Sequence, residues 1–321
     1  MKLTRLVRAA AVGALAVFGA PLAHAADKSV VVAYQTDALP SSVAIANGEF
    51  EKATGFKIDF RRFNSGAEIF AAIASGDVQI GYVGSSPYAA ATSRGLDVKA
   101  FYLASISGTD EALVVRNGSG INSLADPLIK SLGLTEKDVQ VFAIPQPDIV
   151  AGYNRGDLDG GFVWDPALTE LKKNGKVIIT SKEVAEKGAP TFSAWVATAA
   201  FAKANPDFLT TFSGVISKYQ TSFVKEPERW GPDSDNAKLL AKLLGGKPED
   251  QAAALKNLNL LPIDVQVSDA WLGGGESSGL AKILKDTAVF LKDQKKITDV
   301  LPSYAAFVTP DAVAALKKAG S

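Results

Sequence analysis

No cysteine occurs in the 321-residue chain, and histidine occurs once, as His24. Without cysteine there is no disulfide, so stability must come from core burial, which a chain of this length can supply. The lone histidine lies in an N-terminal stretch that reads as removable. What remains would have neither a Ser-His nor a Cys-His nucleophile, and would lack the usual ligands of zinc, copper and haem. No metal or cofactor is therefore expected. An excess of charge of either sign is also missing, with 34 Lys+Arg against 34 Asp+Glu. Nucleic acid is not an expected partner of so balanced a surface. Past the N-terminus, no apolar run is long enough to cross a bilayer.

The N-terminus itself has the composition of an export signal. Lys2, Arg5 and Arg8 precede the apolar run "AAAVGALAVFGAPLA", and "AHA" offers small residues for cleavage. Residues 1–25 are expected to be a signal peptide, with the mature chain starting at Ala26. Loss of its three basic residues from the 34 leaves 31 against 34 acidic ones, a net charge of −3.

The mature chain opens with "KSVVVAYQTD", a β-branched apolar run with a polar end, as in a buried strand. A helix is expected over about Ser41 to Thr54, closed by Gly55. The strand "FKIDFRRF" follows, and then "NSGAEIFAAIASGD" as cap, helix and turn. This alternation implies α/β architecture on a largely parallel sheet. From Phe201 onward, "NPDFLTTFSGVISKYQTSF", "DNAKLLAKLLG" and "SGLAKILKDTAVFLKDQKK" carry helical spacing.

The chain also repeats itself. Shifted by 80 residues, "AEIFAAIASGDVQIGYVGSSP" falls on "PDIVAGYNRGDLDGGFVWDP", with Ile69 on Ile149, Gly76 on Gly156 and Gly81 on Gly161. Both copies read helix, Gly-Asp turn, strand, proline, helix. Because Pro87 and Pro166 are one residue out of register, the second helix is expected to start a step earlier. Two such corners facing one another would form a cleft, since ligands bind beyond the carboxyl ends of parallel strands.

The polar residues at those corners are the candidate site. In Gly84-Ser85-Ser86-Pro87, proline suits the first helical position and Ser86 the N-cap. The same stretch could bind an anion, because helix starts present free N–H groups and Ser85 adds a hydroxyl beyond what a cap needs. Ser65 and Gly66 form a second corner of this kind, readable as a plain N-cap or as part of the same site. Gln35 ends the first strand. Trp164 and Asp165 hold the matching place in the second repeat, as pocket wall and cap or as partners of an alkyl chain and an ammonium. Glu111 leads into the apolar "ALVV", where a carboxylate needs an internal base or a ligand amine.

Taken together, "VAYQTD", "NSGAEI", "ASGDVQIGYVGSSP", "EALVV", "RGDLDGGFVWDPAL" and "GAPTFSAWVA" resemble the taurine-binding periplasmic proteins of ABC transporters. The resemblance implies a type II periplasmic binding protein fold, two α/β lobes around a ligand cleft joined by two crossing strands. Those strands would be Glu111 to Val115 and Ala194 to Thr198. Residues 26–115 with 199–321 would form one lobe and residues 116–198 the other. It further implies that Ser85 and Ser86 hold a sulfonate, with Gln35, Ser65 and Gly66 nearby, and that Glu111, Trp164 and Asp165 line the cleft.

Two departures accompany the resemblance. The strand and Ser/Thr-rich His-Tyr loop that relatives carry after "INSLAD" are absent, which shortens the second lobe to "VQVFAI", "GGFVW" and "KVIIT" as its strands. Ser193 stands where taurine-binding relatives tend to carry Asp. The implied function is a monomeric periplasmic solute receptor, not an enzyme, that captures taurine or a related aliphatic sulfonate for a membrane ABC permease. A sensor, a paralogue impaired in binding, and a thiamin-precursor-type enzyme or binder are the alternatives.

Overall fold

The β-branched run Ser29–Tyr34 forms β1, and the larger of two sheets is built outward from it. The structure is a computed structural model that describes residues 28–106, 108–121, 140, 142 and 144–320. The expected signal peptide and most of the segment from Asn122 to Ala143 lie outside the described residues. So do the shortened part of the second lobe and Val139, Val141 and Ala143 of "VQVFAI".

After β1 come α1 (Ser42–Ala46), α2 (Glu49–Thr54), β2 (Lys57–Arg62), α3 (Gly66–Ala74), β3 (Ile80–Gly84), α4 (Ser85–Ser93) and β4 (Val98–Ile106). The chain then builds a second sheet from β5 (Glu111–Arg116), α5 (Gln146–Arg155), β6 (Gly160–Trp164), α6 (Ala167–Lys172), β7 (Gly175–Thr180) and α7 (Ser181–Glu186). It returns to the first sheet as β8 (Phe192–Thr198), followed by α8 (Ala199–Ala204) and α9 (Pro206–Lys225). Strand order is β2-β1-β3-β8-β4 in the first sheet and β6-β5-β7 in the second.

The helix expected over Ser41 to Thr54 is two helices. Gly48 takes a left-handed φ of 71°, and the Asn47 side chain accepts from Glu49 N–H, which together break the run. The sheets are also less parallel than expected. β1 runs parallel to β2 and β3, but β8 is antiparallel to β3 and β4, and β5 is antiparallel to β6 and β7. The antiparallel partners are the strands that follow each passage between sheets, and a returning chain must run against its neighbours.

The 80-residue repeat survives into three dimensions. Gly76 and Gly156 both turn with positive φ, at 86° and 87°. Asp77 N–H donates to Ala72 O at 3.0 Å, as Asp157 N–H does to Gly152 O at 2.9 Å. A Cβ on Gly81 would sit 2.6 Å from Ile69 Cγ2, and one on Gly161 would sit 2.7 Å from Ile149 Cγ2. Both strands thus use glycine so that the preceding helix can lie on the sheet. The register differs at the next helix, where α6 starts at Ala167 while α4 starts at Ser85, so the second helix begins later rather than earlier. Asp165 is held outside α6 as a cap, its Oδ1 accepting from Thr169 N–H at 2.9 Å.

Each sheet has its own core. In the larger one, Phe212 of α9 stacks on Phe50 at 4.3 Å between centroids and meets Trp195 of β8 edge-on at 5.3 Å. The smaller sheet buries Val114, Tyr153, Val163, Leu168 and Leu171. Gly81→Ala is predicted to destabilise the protein by about 1–3 kcal/mol in urea unfolding, because the added methyl overpacks Ile69. Combining it with Ile69→Ala should cost less than the sum of the two single changes.

Candidate functional site

The N-termini of α3 and α4 are brought together at the end of the larger sheet. Gly66 opens α3, and a Cβ there would lie 2.7 Å from Pro87 Cγ, so only glycine lets α4 pack this close. Ser65 is the N-cap of α3, its Oγ accepting from Glu68 N–H at 3.3 Å. On α4 the cap is Gly84, in extended conformation at φ −83° and ψ 166°, and no side chain caps the helix. Ser86 is therefore not the N-cap, because the helix starts two residues before the proline. Both hydroxyls stand in the first turn, Ser85 buried and Ser86 exposed. Serine hydroxyls and first-turn N–H groups at two adjacent helix starts form a donor-rich corner with favourable dipole potential for an anion.

Strand pairing adds Ser193 to this corner. In β8 it lies between Gly84 of β3 and Ser105 of β4, and its hydroxyl hydrogen bonds the Tyr82 side chain. Gln35, just past β1, is buried, and its Nε2 donates to Tyr82 O at 3.1 Å. Its Oε1 is enclosed without a partner.

The residues of the smaller sheet form a second, acidic group. Glu111 opens β5 opposite Trp164, and Asp110 just before it lies close enough to Asp165 to feel its charge. Glu111 Oε2 accepts from Ser181 Oγ at 2.9 Å and from Thr191 Oγ1 at 3.5 Å. With its amide oxygen turned inward, Gln146 accepts from Trp164 N–H and Nε1–H, each at 3.2 Å, which ties the indole to α5. Asp165 Oδ1 is engaged by Thr169.

Two carboxylates that the sequence did not single out complete the group. Asp37 follows Gln35 by two residues, and Asp110 precedes Glu111. Burial pushes the Asp37 carboxyl well above the usual range, reinforced by the charges of Glu111, Asp110 and Asp165. Burial and the Glu111 charge raise Asp110 to about 7. Glu111 is raised by burial, against the hydrogen bonds from Ser181 and Thr191. The adjacency "DE" before a buried strand was the available signal for Asp110, and the terminal Asp of "VAYQTD" was the signal for Asp37. Because Asp37 belongs to the first sheet and senses Glu111 and Asp165 of the second, the two groups meet where the sheets face each other.

A separate cavity of about 490 Å³ opens beside α9, with Glu49, Lys218, Glu226 and Arg229 in its wall. Lys218 pairs there with Glu49 and Arg229 with Glu226, Lys225 also lines the cavity, and none of these residues comes from a sheet edge. Among the described residues no helix is long and apolar enough to cross a membrane.

Fold and site together describe a two-sheet solute-binding protein with an anion corner facing an acidic one. Two family models match parts of the chain. One is the periplasmic substrate-binding protein of phosphonate ABC transporters, over residues 29–153. The other is the substrate-binding domain of ABC-type glycine betaine transport systems, over residues 97–215. The taurine-binding periplasmic protein of Escherichia coli K12 is 36% identical over 298 residues, 88% of this chain and 91% of the relative. The aliphatic sulphonate binding protein SsuA of Escherichia coli shares the fold at TM-score 0.66 and 17% identity, covering 89% of this chain and 99% of its own. The alkanesulfonate-binding SsuA of Xanthomonas axonopodis pv. citri, in a structure with MOPS, gives TM-score 0.67 at 16% identity, covering 88% and 97%. The chain belongs to the family of the taurine-binding periplasmic protein.

Asp110 makes the stability of the empty protein depend on pH. Its folded pKa of about 7 exceeds the ordinary 3.8, so the native state holds the extra proton between those values. Stability should be highest at the acidic end of that window and fall toward pH 7, at up to about 1.4 kcal/mol per pH unit for one group. Asp37 and Glu111 act in the same direction. Urea unfolding between pH 4.5 and 7.5 checks this, and Asp110→Asn should flatten the slope.

Proposed function

We propose that the protein is the solute receptor of an ABC importer, capturing taurine or a related small aliphatic sulfonate and delivering it to a membrane permease. The observation that carries this reading is the joined start of α3 and α4, where Gly66 packs on Pro87 and Ser65, Ser85 and Ser86 surround the contact. A sulfonate stays ionised at every relevant pH. Neutral donors and helix N-termini suit it, because they need no counter-charge when the site is empty. Membership of a taurine-binding family supports the same ligand class.

The two sheets then act as two lobes. The expected crossing strands do not cross, because Glu111 to Val115 lie in the smaller sheet and Ala194 to Thr198 in the larger. The chain passes between lobes after Ile106 and after Glu186. Gln35, Ser193 and the α3–α4 corner lie on one lobe, and Glu111, Trp164 and Asp165 on the other. No catalytic step is assigned to the serines of the corner. The receptor is taken to work as a monomer in the periplasm, exported by residues 1–25.

The double change Ser85→Ala/Ser86→Ala should weaken sulfonate binding. A hydrogen bond to a charged group is worth about 1.5–3 kcal/mol, so losing one or both should raise Kd by tenfold or more. The melting temperature should change little, since neither hydroxyl caps α4. Unchanged affinity in calorimetric titration would move the anion site elsewhere.

A further inference from the structure

We propose that the cavity beside α9 is a second ligand site, remote from the sheet junction, for a small organic anion with one acidic head and an aromatic body. Such a site stands whether or not the sheet junction takes a sulfonate.

Three stretches of chain build the cavity. The turn between α1 and α2 supplies Asn47 and Glu49, and the last two turns of α9 with the 3-10 turn Pro227–Trp230 supply most of the rest. Asn236, at the start of α10 (Asp235–Leu244), closes it. On α9, Lys218, Thr221, Ser222 and Lys225 recur at the steps of one helix face, so two ammonium groups flank two hydroxyls along about 10 Å of axis. The volume of about 490 Å³ is that of a small-molecule pocket and far above that of a trapped water.

Two rings form an apolar part of the wall. Tyr219 meets Trp230 edge-on at 6.4 Å between centroids, and Trp230 meets Phe223 in the same way at 5.6 Å. Their polar atoms are already engaged. Tyr219 Oη donates to Glu49 Oε2 at 2.5 Å and accepts from Asn47 Nδ2 at 2.8 Å, and Trp230 Nε1 donates to Ser222 Oγ at 3.4 Å. What these two residues have left to offer is ring surface, which suits an aromatic body.

The charged part of the wall has donors to spare and no acceptor in need. Three cations, Lys218, Lys225 and Arg229, accompany two carboxylates, Glu49 and Glu226, a surplus of one positive charge. Both carboxylates are satisfied within the wall. Glu49 accepts from Lys218 and Tyr219, and Glu226 accepts from Ser222 Oγ at 2.7 Å and Arg229 Nη1 at 2.9 Å. Burial raises the Glu49 carboxyl, but the hydrogen bonds from Lys218 and Tyr219 outweigh it and leave it below the usual range; those from Ser222 and Arg229 do the same for Glu226. Neither carboxylate calls for a ligand cation. Lys225 has no ion-pair partner among the described residues, and Arg229 meets Glu226 through Nη1 only, which leaves the other N–H groups of its fork. A single carboxylate or sulfonate head between Lys225 and Arg229 takes up that surplus in charge-assisted hydrogen bonds. Taurine, small and without a ring, would leave most of the cavity unfilled.

The test is titration of the purified protein with 1-naphthoate, followed by calorimetry and by tryptophan fluorescence, which Trp230 in the wall should report. 1-Naphthalenemethanol is the neutral counterpart. 1-Naphthoate should bind one site per chain, at least tenfold tighter than the alcohol, and saturating taurine should not displace it. Lys225→Glu should weaken naphthoate tenfold or more with the melting temperature unchanged, because Lys225 is exposed, whereas Lys225→Arg should retain binding. Arg229→Gln should also weaken it. Equal affinity for the alcohol overturns the anion class. No binding of 1-naphthoate overturns the site, as does binding that taurine displaces or that Lys225→Glu and Arg229→Gln leave unchanged.

Discussion

Buried carboxyls without a basic partner are the constraint on which the site depends. Asp37 and Asp110 are raised by burial first and by the charge of Glu111 second, and Glu111 is raised by burial against the hydrogen bonds from Ser181 and Thr191. Holding such groups at the junction of two sheets costs stability that only protons or a ligand cation offset. The starts of α3 and α4 offer neutral donors, with Glu68 as an acidic side chain in the first turn of α3.

The rest of the fold serves to hold those two ends in place. Glycine does the positioning at each approach. Gly81 and Gly161 let α3 and α5 lie on their sheets, each against an isoleucine, and Gly66 lets α4 approach α3. The strand β8 pairs with both β3 and β4 and so fixes Ser193 beside Gly84. The Phe50, Trp195 and Phe212 cluster anchors β8 to α9 behind the site. Each sheet has its own separate core, so each half is held together independently.

Much of this was legible in the sequence because it rests on local signals. The Gly-Asp turns, the Ile–Gly spacing and the serine-proline corner all act within one helix–strand unit, and the repeat made them visible twice. Proline as the first helical residue would make Ser86 the cap of α4, whereas extended Gly84 lets the helix begin at Ser85. The break at Asn47–Gly48 was missed because apolar spacing continues across it. Asp37 and Asp110 escaped for a different reason. An acidic residue next to a turn is ordinarily solvated, and only the meeting of β1 with β5 and β6 turns these into a buried group.

The central claim is that one ligand spans both ends of the site, and a crystal structure of the taurine complex tests it most directly. The account places the sulfonate oxygens within hydrogen-bond distance of Ser85, Ser86 and the first N–H groups of α3 and α4. The ammonium should then face Asp37, Asp110, Glu111 and Asp165. Taurine bound in the reverse sense, or in the cavity beside Lys218 and Arg229, would contradict it.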